Sequence, residues 1–272
     1  MNTSDFHFVR NFLKEHSAIV LDDGKEYLVE SRLLPLARDE GLEGVPGLID
    51  RIRRERFNGL HRRVVEAMTT NETSFFRDRH VFLTIEKEVL PPIIAAREAR
   101  RSLRIWCGAC STGQEPYSLA MLLEQHFPQL AQWRVEIQCT DLDSEVLARA
   151  KEGSYSKLEV NRGLPAALLV RFFEKQGGRW QVRERLRKLL TFRQMNLAAS
   201  WPHMPKVDLI LLRNVLIYFD VPTKRLILER MARHLEPDGL IFLGAAESTL
   251  NITDAFERVV LDGAVAYRPA RR

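Results

Sequence analysis

The sequence predicts an all-α helical domain followed by a larger α/β domain, a doubly wound sheet with a small antiparallel β insertion. Three observations support this prediction. The first ~90 residues show helical spacing of apolar residues and no strand-like alternation. From about residue 103 onward, short apolar strands alternate with helices, which is typical of a parallel sheet covered on both faces. The alternation lapses between residues 163 and 194, where Gly177-Gly178 is a good hairpin turn.

The domain boundaries follow from these changes in pattern. Pro91 and Pro92, with the charged stretch AREARRSLR after them, indicate a connector between the two domains. We therefore expect a helical domain at 1–75, a linker at 76–102, an α/β domain at 103–272 and the β insertion at about 163–194.

Four or five short helices are expected in the first domain, forming a small bundle. Ser4 or Asp5 can cap the first helix. A second helix is expected at 25–39, with a break or kink at Pro35, because proline lacks the N–H that a helix interior needs. Pro46 opens the third helix. The apolar residues that these helices would bury include Phe8, Val9, Phe12, Leu13, Leu28, Leu33, Leu36, Ala37, Leu48, Ile49, Ile52, Leu60, Val64, Ala67 and Met68.

The second domain should contain a parallel sheet with helices between its strands. Strands are expected at 105–107, 135–139, 207–212 and 240–243, and a terminal hairpin at 259–261 and 265–267. Helices are expected from Pro116 onward, at 144–151 and at 223–234. Within the insertion we expect a hairpin from 172–176 and 179–182, and a further strand at 189–192.

Composition favours a soluble cytoplasmic protein. The 272 residues are 45% hydrophobic, yet no apolar run approaches the roughly 20 residues needed to cross a bilayer. The first ten residues, MNTSDFHFVR, lack the apolar core of a signal peptide. The three cysteines are too few and odd in number for a disulfide framework.

Cys107 and Cys110 form a CxxC pair, which is compatible with redox chemistry or with zinc. No second cysteine pair accompanies it, so we favour small residues in a tight turn and expect no metal. The net charge of +5 permits a nucleic acid, an acidic lipid or an acidic protein as partner and does not choose among them.

Residues 51–63 contain six arginines and one acid, Glu55. This stretch can be a solvated helix face or a face that binds a partner. Arginine favours bidentate contacts to carboxylates or phosphates. No aromatic residues are interleaved with it in the way that a groove for single-stranded nucleic acid requires.

The loop after the first strand, GACSTGQEP at 108–116, is rich in small residues but matches neither the GxGxxG nor the GxxxxGK[ST] motif. The loop therefore favours a ligand that has no phosphate group. Glu115 starts the following helix, either as a favourable acid at a helix N-terminus or as a carboxylate that receives a cationic or hydroxyl-bearing ligand. Asp141, at the end of the second strand, is placed to bind ribose hydroxyls.

Five segments together resemble the chemotaxis receptor methyltransferases of the CheR family. They are TTNETSFFR at 69–77, WCGACSTGQEPYSLAM at 106–121, CTDLD at 139–143, LLRNVLIYF at 211–219 and LEPDGLIFLGAAES at 235–248. The match runs in order over essentially the whole chain. The resemblance implies a Rossmann-like S-adenosylmethionine methyltransferase fold, with S-adenosylhomocysteine as the product of the cofactor.

The resemblance also implies which residues form the cofactor site. Arg77 and Thr73 would hold the methionine carboxylate, although Arg77 can also form an interdomain salt bridge. Tyr218 lies near the transfer site in the family, so Arg77 and Tyr218 are the catalytic candidates. The cofactor-binding positions carried over are Asn71, Thr73, Arg77, Glu115, Asp141, Asn196, Leu197, Arg213 and Asn214.

The implied acceptor is a glutamate side chain in the acidic, helical methylation region of a chemotaxis receptor. Such a carboxyl group is already ionised at neutral pH, so no general base is required. Arg53, Arg54 and Arg56 are candidates for docking this region. In the family the β insertion can hold a receptor's C-terminal tail by strand addition, but the hairpin around Gly177-Gly178 is short here.

Two alternatives stay open at this point. One is a methyltransferase that acts on RNA or on a small molecule, for which the basic pI is the main support. The other is a non-catalytic module that binds the cofactor. We expect a monomer that binds no nucleic acid and does not insert into membranes.

Overall fold

The computed structural model describes residues 1–271. Its first part is a bundle of four helices, α1 (Thr3–Ser17), α2 (Glu26–Asp39), α3 (Gly44–Arg54) and α4 (Gly59–Ala67). Their inner faces form one apolar cluster that includes Phe6, Val9, Leu33, Leu48, Ile49 and Val64. The cap of α1 is Asn2, whose side chain accepts a hydrogen bond from the Asp5 backbone N–H at 2.8 Å. The expected cap at Ser4 or Asp5 is therefore wrong by two or three residues.

Helix α2 continues through Pro35, so the break expected there is not found. Val29, Leu33, Leu36 and Ala37 lie on its buried face, on both sides of the proline. Packing of this face against the other helices outweighs the hydrogen bond that proline removes.

The segment predicted as a linker is mostly helical. It contains α5 (Arg79–Thr84), a π-helical turn (Ile85–Val89) and α6 (Leu90–Arg97). Pro91 and Pro92 directly follow the π-helical turn, and the helix continues through both of them. Buried side chains of the segment, such as Phe82 and Ile93, belong to the same apolar cluster as the central sheet. The segment therefore packs on the sheet as part of the α/β core.

The remaining chain alternates strands and helices as predicted. The strands are β1 (Ser102–Gly108), β2 (Arg134–Asp141), β3 (Ser154–Tyr155), β4 (Phe173–Gln176), β5 (Arg179–Val182), β6 (Leu190–Gln194), β7 (Val207–Leu212), β8 (Leu235–Leu243), β9 (Phe256–Leu261) and β10 (Ala264–Pro269). The helices are α7 (Gln114–His126), α8 (Ser144–Glu152), α9 (Lys157–Asn161), α10 (Ala166–Phe172), α11 (Glu184–Arg187) and α12 (Val221–His234).

Seven strands form the main sheet in the order β6-β2-β1-β7-β8-β10-β9. Strands β6, β2, β1, β7 and β8 pair in parallel, and the β9–β10 hairpin joins antiparallel to β8. Every residue of β7 is buried, as expected for a central parallel strand. From β1 the chain moves to β2 on one side and later to β7 on the other, so the ligand crevice is expected at their carboxyl ends.

Three short strands form a separate antiparallel sheet in the order β3-β5-β4. Gly177 and Gly178 turn the β4–β5 hairpin with φ of 53° and 84°. The strand expected at 189–192 does not belong to this insertion, because β6 pairs in parallel with β2 in the main sheet. The third strand of the small sheet is β3, which the sequence pattern did not reveal.

An ion-pair network connects the end of α6 to the amino-terminal end of β7 in the main sheet. Asp208 on β7 is fully buried, and its carboxylate accepts hydrogen bonds from Arg97 Nε at 2.7 Å and from Arg100 Nη2 at 2.6 Å. The backbone N–H of Arg104 adds a third bond at 2.8 Å. Asp238 also pairs with Arg97, and these interactions raise the pKa of the Arg97 guanidinium despite its burial.

Candidate functional site

A cavity opens at the carboxyl ends of β1, β2 and β7, beneath the edge of the helical bundle. Its volume is about 940 Å³, counting the part that is open to solvent. All ten positions predicted for the cofactor site and the catalytic pair line it. They are Asn71, Thr73, Arg77, Glu115, Asp141, Asn196, Leu197, Arg213, Asn214 and Tyr218.

The loop between β1 and α7 forms one wall of the cavity. Ala109, Ser111 and Gly113 have φ of 54°, 50° and 92°, so three residues of this loop are in the left-handed region. A Cβ on Gly113 would lie 3.0 Å from the Ala150 Cβ and 3.0 Å from the Tyr155 hydroxyl oxygen. This position therefore requires glycine, and the loop can turn tightly beneath a ligand.

Asp141 connects this loop to the end of β2. Its Oδ2 accepts a hydrogen bond from the Ser111 backbone N–H at 2.8 Å, and its Oδ1 accepts one from the Asp143 N–H at 3.0 Å. Burial raises the pKa of the Asp141 carboxyl, and the backbone hydrogen bonds oppose that change. Each oxygen keeps a lone pair with which a ligand hydroxyl can bond.

Residues 69–77 cross from α4 to α5 and form a second wall. The Asn71 side chain donates to Asp143 Oδ2 at 2.7 Å, and its backbone carbonyl accepts from the Ser111 hydroxyl at 2.8 Å. Arg77 donates to the Glu72 carbonyl oxygen at 3.2 Å. Among residues 1–271 no carboxylate forms an ion pair with Arg77, so the interdomain salt bridge considered for it is not found in that range. Its guanidinium is available to a ligand.

Arg213 lies at the bottom of the cavity with its side chain 1% exposed. It donates to Glu115 Oε2 at 2.7 Å and to the carboxylate of Asp78. Its Nε is buried and has no partner among the described residues. Burial raises the pKa of the Glu115 carboxyl, and the Arg213 charge opposes this increase. Asp78 was not predicted from the sequence, although it directly follows the TTNETSFFR segment.

The helical bundle closes the cavity on the side of Tyr218. The Val20 N–H donates to the Tyr218 carbonyl oxygen at 2.9 Å, and Ile19 forms an isolated antiparallel bridge with Phe219. The Asn196 side chain donates to the His16 carbonyl oxygen at 2.8 Å. The cavity is therefore built from both parts of the chain.

Asn214 follows β7 with φ of 59° and does not cap a helix; the cap of α12 is Asp220. Tyr218 ends a short 3-10 turn at Leu216–Tyr218. Its side chain is half-buried at the cavity rim and is not packed in the core.

The three arginines predicted to dock an acidic partner do not line the cavity, and they differ from one another. Arg53 pairs with the buried Asp5 at 3.0 Å and stacks over the Phe8 ring at 4.6 Å. Arg54 and Arg56 are exposed, and neither forms an ion pair within residues 1–271. Two of the three are therefore free to meet a partner.

The cysteines lie inside the core. Cys107, Cys110 and Cys139 are free and buried, and Cys107 is opposite Cys139 on the neighbouring strand. Burial raises the pKa of the Cys107 and Cys139 thiols, which makes them poor nucleophiles. Within residues 1–271 no group of three or more His, Cys, Asp or Glu side chains is suited to a metal ion.

The polar groups of the cavity fit a ligand with three chemically distinct parts. The unpaired guanidinium of Arg77 matches a carboxylate, and the partly buried Glu115 matches an ammonium group. Asp141 matches the hydroxyls of a ribose. Apolar side chains, among them Leu197, Met195 and Ile19, line the remaining space and fit a flat base.

Comparisons with known proteins agree with this chemistry. The model of the CheR methyltransferase SAM-binding domain matches residues 71–265, and that of the CheR methyltransferase all-alpha domain matches residues 4–69. Chemotaxis protein methyltransferase 1 of Pseudomonas aeruginosa is 42% identical over 269 residues, which are 97% of each chain. Chemotaxis protein methyltransferase Cher2 of Pseudomonas putida is 38% identical over 268 residues, again 97% of each chain.

Solved structures show a more distant likeness. PKMT2 from Rickettsia typhi in complex with AdoHcy superposes with a TM-score of 0.38 and 12% identity, covering 64% of this chain and 26% of the other. Within residues 1–271 no helix combines the length and the apolar character that crossing a membrane requires.

Proposed function

The chain belongs to the CheR methyltransferase family, and from this premise we propose that it methylates glutamate side chains of chemotaxis receptors in the cytoplasm. Family membership makes it an S-adenosylmethionine-dependent methyltransferase. The observation that supports this proposal best is the convergence of Arg77, Glu115 and Asp141 on one cavity. In this proposal Arg77 binds a carboxylate, Glu115 binds an ammonium group and Asp141 binds ribose hydroxyls, and the site has no phosphate-binding loop.

In this proposal the chain holds the cofactor from both ends. Arg77 and Thr73 bind the methionine carboxylate, and Asn71 supports them because its side chain fastens the 69–77 segment to Asp143. Asp141 accepts hydrogen bonds from the ribose hydroxyls. Asn196 and Leu197, at the end of β6, line the adenine end of the cavity.

Glu115 and Arg213 set the charge at the amino end of the cofactor. The Arg213 cation is shared between Glu115 and Asp78. Two carboxylates thus face one buried guanidinium, so the group carries a net negative charge when both acids are ionised. A ligand ammonium next to Glu115 neutralises that excess, which favours a cationic ligand over a neutral one.

Bound S-adenosylmethionine supplies an electrophilic methyl group on a sulfonium cation. The acceptor carboxylate is ionised at neutral pH, so the chain needs no general base. Asn214 and Tyr218 border the transfer end and exclude water there, which favours a step in which a cation and an anion neutralise each other. The main contribution of these residues is alignment of the acceptor oxygen with the methyl group.

Arg54 and Arg56 would guide the acceptor to this site. Their side chains are exposed, and the acceptor region is a helix rich in glutamate, so charge complementarity increases the rate of encounter. The outer strand of the small sheet, β4, has one unpaired edge, and a receptor tail could pair with it.

Transfer of labelled methyl from S-adenosylmethionine to membranes that contain the host's chemoreceptors tests the proposal. An RNA-only sample serves as the control. We expect label on receptor bands that is released by mild base, because a carboxyl methyl ester hydrolyses under these conditions. Label on RNA, or on nothing, would contradict the assignment of the acceptor while leaving the fold and the cofactor in place.

A further inference from the structure

Glu247 joins the loops that follow β7 and β8. Its Oε2 accepts hydrogen bonds from the backbone N–H groups of Asn214 at 2.9 Å and Gly244 at 2.6 Å. Its Oε1 accepts from the Ile217 N–H at 3.2 Å. One carboxylate thereby satisfies three backbone donors, two of which belong to the loop that carries Tyr218 into the cavity.

The loop after β7 needs such a support. Asn214 is a non-glycine residue with φ of 59°, a conformation that persists only where the surroundings hold it. The approach of the two loops is close, because a Cβ on Gly244 would lie 2.7 Å from Glu247 Oε2 and 2.8 Å from the Asn214 nitrogen. Glycine at 244 is therefore required for the carboxylate to reach the Asn214 loop.

Glu247 itself does not line the cofactor cavity, but Asn214, Val215 and Tyr218 do. We propose that Glu247 is a positioning residue, whose carboxylate holds residues 214–218 in the conformation that presents Asn214 and Tyr218 to the cofactor. The inference rests on the cofactor site described above. No residue of the LEPDGLIFLGAAES segment lines the cavity, so the segment would act on the site through Glu247.

A purely structural role of Glu247 explains these hydrogen bonds less well than a positioning role. Glu247 lies on an only partly buried loop, and its neighbours Ala245 and Ala246 are exposed, so its side chain adds little to the apolar core. All three of its hydrogen bonds are to backbone groups in the two loops beside the cavity. Their loss changes the geometry of these loops before it changes the core.

Isothermal titration of the whole protein with S-adenosylhomocysteine tests the inference without depending on the acceptor. For Glu247→Ala we expect Kd to rise about tenfold at an unchanged binding stoichiometry, a loss comparable to one hydrogen bond to a charged group. For Glu247→Gln, which keeps one carbonyl oxygen as acceptor, we expect an intermediate rise of about threefold. The matched control is Glu98→Ala, which removes an exposed glutamate at the end of α6.

The stoichiometry separates positioning from folding. If Glu247→Ala lowered the number of binding sites per chain but left Kd within twofold of wild type, the residue would be structural and the inference wrong. If Glu247→Ala did not fold, an unchanged Kd for Glu247→Gln would overturn the inference. Failure of the wild type to bind S-adenosylhomocysteine would instead overturn the cofactor site on which the inference rests.

Discussion

Arg213 donates a hydrogen bond to Glu115 Oε2 at 2.7 Å, in a cavity where the arginine side chain is almost fully shielded from water. The pair links the loop after β1 to the loop after β7, the two strands on either side of the switch point. Because a buried carboxylate and a buried guanidinium depend on each other, changes at Glu115 affect both ligand binding and the charge balance of the site.

Replacement of Glu115 by glutamine should weaken cofactor binding by about 10- to 100-fold. The amide cannot neutralise the ligand ammonium, and among residues 1–271 it leaves Arg213 with Asp78 as its anionic partner. Calorimetric titration with S-adenosylhomocysteine measures the effect. Glu124→Gln, on the outer part of the same helix, is the control, since Glu124 pairs with Arg185 away from the cavity. Equal affinity in the two variants would contradict the role of Glu115.

The affinity for the cofactor should fall on acidification from neutral pH. Burial raises the pKa of Glu115 above its ordinary value of 4.5, so the carboxylate becomes protonated at a higher pH than an exposed glutamate. The protonated form cannot pair with an ammonium group, so binding is strong above the raised pKa and is lost below it. Titrations of wild type and Glu115→Gln across pH check this. The variant should lose the part of the pH dependence that belongs to Glu115, and parallel profiles would contradict the assignment.

Arg77→Ala should raise Kd for S-adenosylhomocysteine by about 10- to 100-fold without a change in thermal stability. Its one hydrogen bond, to the Glu72 carbonyl oxygen, is long and exposed, so the folded chain loses little. Arg77→Lys should recover part of the affinity, because a lysine keeps the charge but not the bidentate geometry. Arg79→Ala, at the exposed start of α5, is the control. A large loss of melting temperature with normal affinity would contradict the role of Arg77 in binding the ligand.

Arg54→Ala combined with Arg56→Ala should raise the KM for receptor several-fold and reduce the dependence of the rate on salt. Both side chains are exposed and act through long-range attraction, which salt screens. Arg53→Ala should behave differently, because Arg53 pairs with the buried Asp5. Its removal should lower stability by about 1–3 kcal/mol, since it leaves a buried carboxylate poorly compensated. Receptor methylation at several salt concentrations, with urea unfolding, distinguishes the two effects.

Asp208→Asn should lower the free energy of unfolding by about 3 kcal/mol, because it leaves Arg97 and Arg100 without a buried counter-charge. Asp238→Asn is the matched control: its side chain is 52% exposed, so its loss should cost much less. Urea unfolding at neutral pH measures both. The affinity for cofactor should be unchanged in each variant, since the network is at the opposite end of β7 from the cavity.

The positions of the cofactor site could be predicted because they are tied to the ends of strands. Glu115 and Asp141 follow or border strands that the apolar pattern reveals, and parallel strands bring such positions to one edge. Arg213 was expected from the family resemblance alone. Asp78 and Glu247 could not be found in this way. The hydrogen bonds of these two side chains depend on residues whose backbone has a positive φ, namely Asp78 itself and Asn214. No periodic pattern of side chains encodes such backbone angles.

The fold was less predictable where local signals and packing disagree. Pro35, Pro91 and Pro92 are strong helix-breaking signals, yet buried apolar faces beside them keep α2 and α6 helical. Strand β6 has a pattern that suits either sheet, and its pairing with β2 is decided by contacts far apart in the chain. Local sequence therefore predicted which segments form helices and strands better than it predicted which strands pair with each other.

The backbone contact between Val20 and Tyr218 has a consequence for how the chain can be divided. A fragment that starts at residue 103 would lose α5 and α6, which pack on the main sheet, and also the cavity wall to which Ile19 and residues 68–73 contribute. Neither half would then be a self-sufficient module that could be exchanged between proteins. Any transplantation of this catalyst into another scaffold must carry the small bundle and the sheet as one inseparable unit.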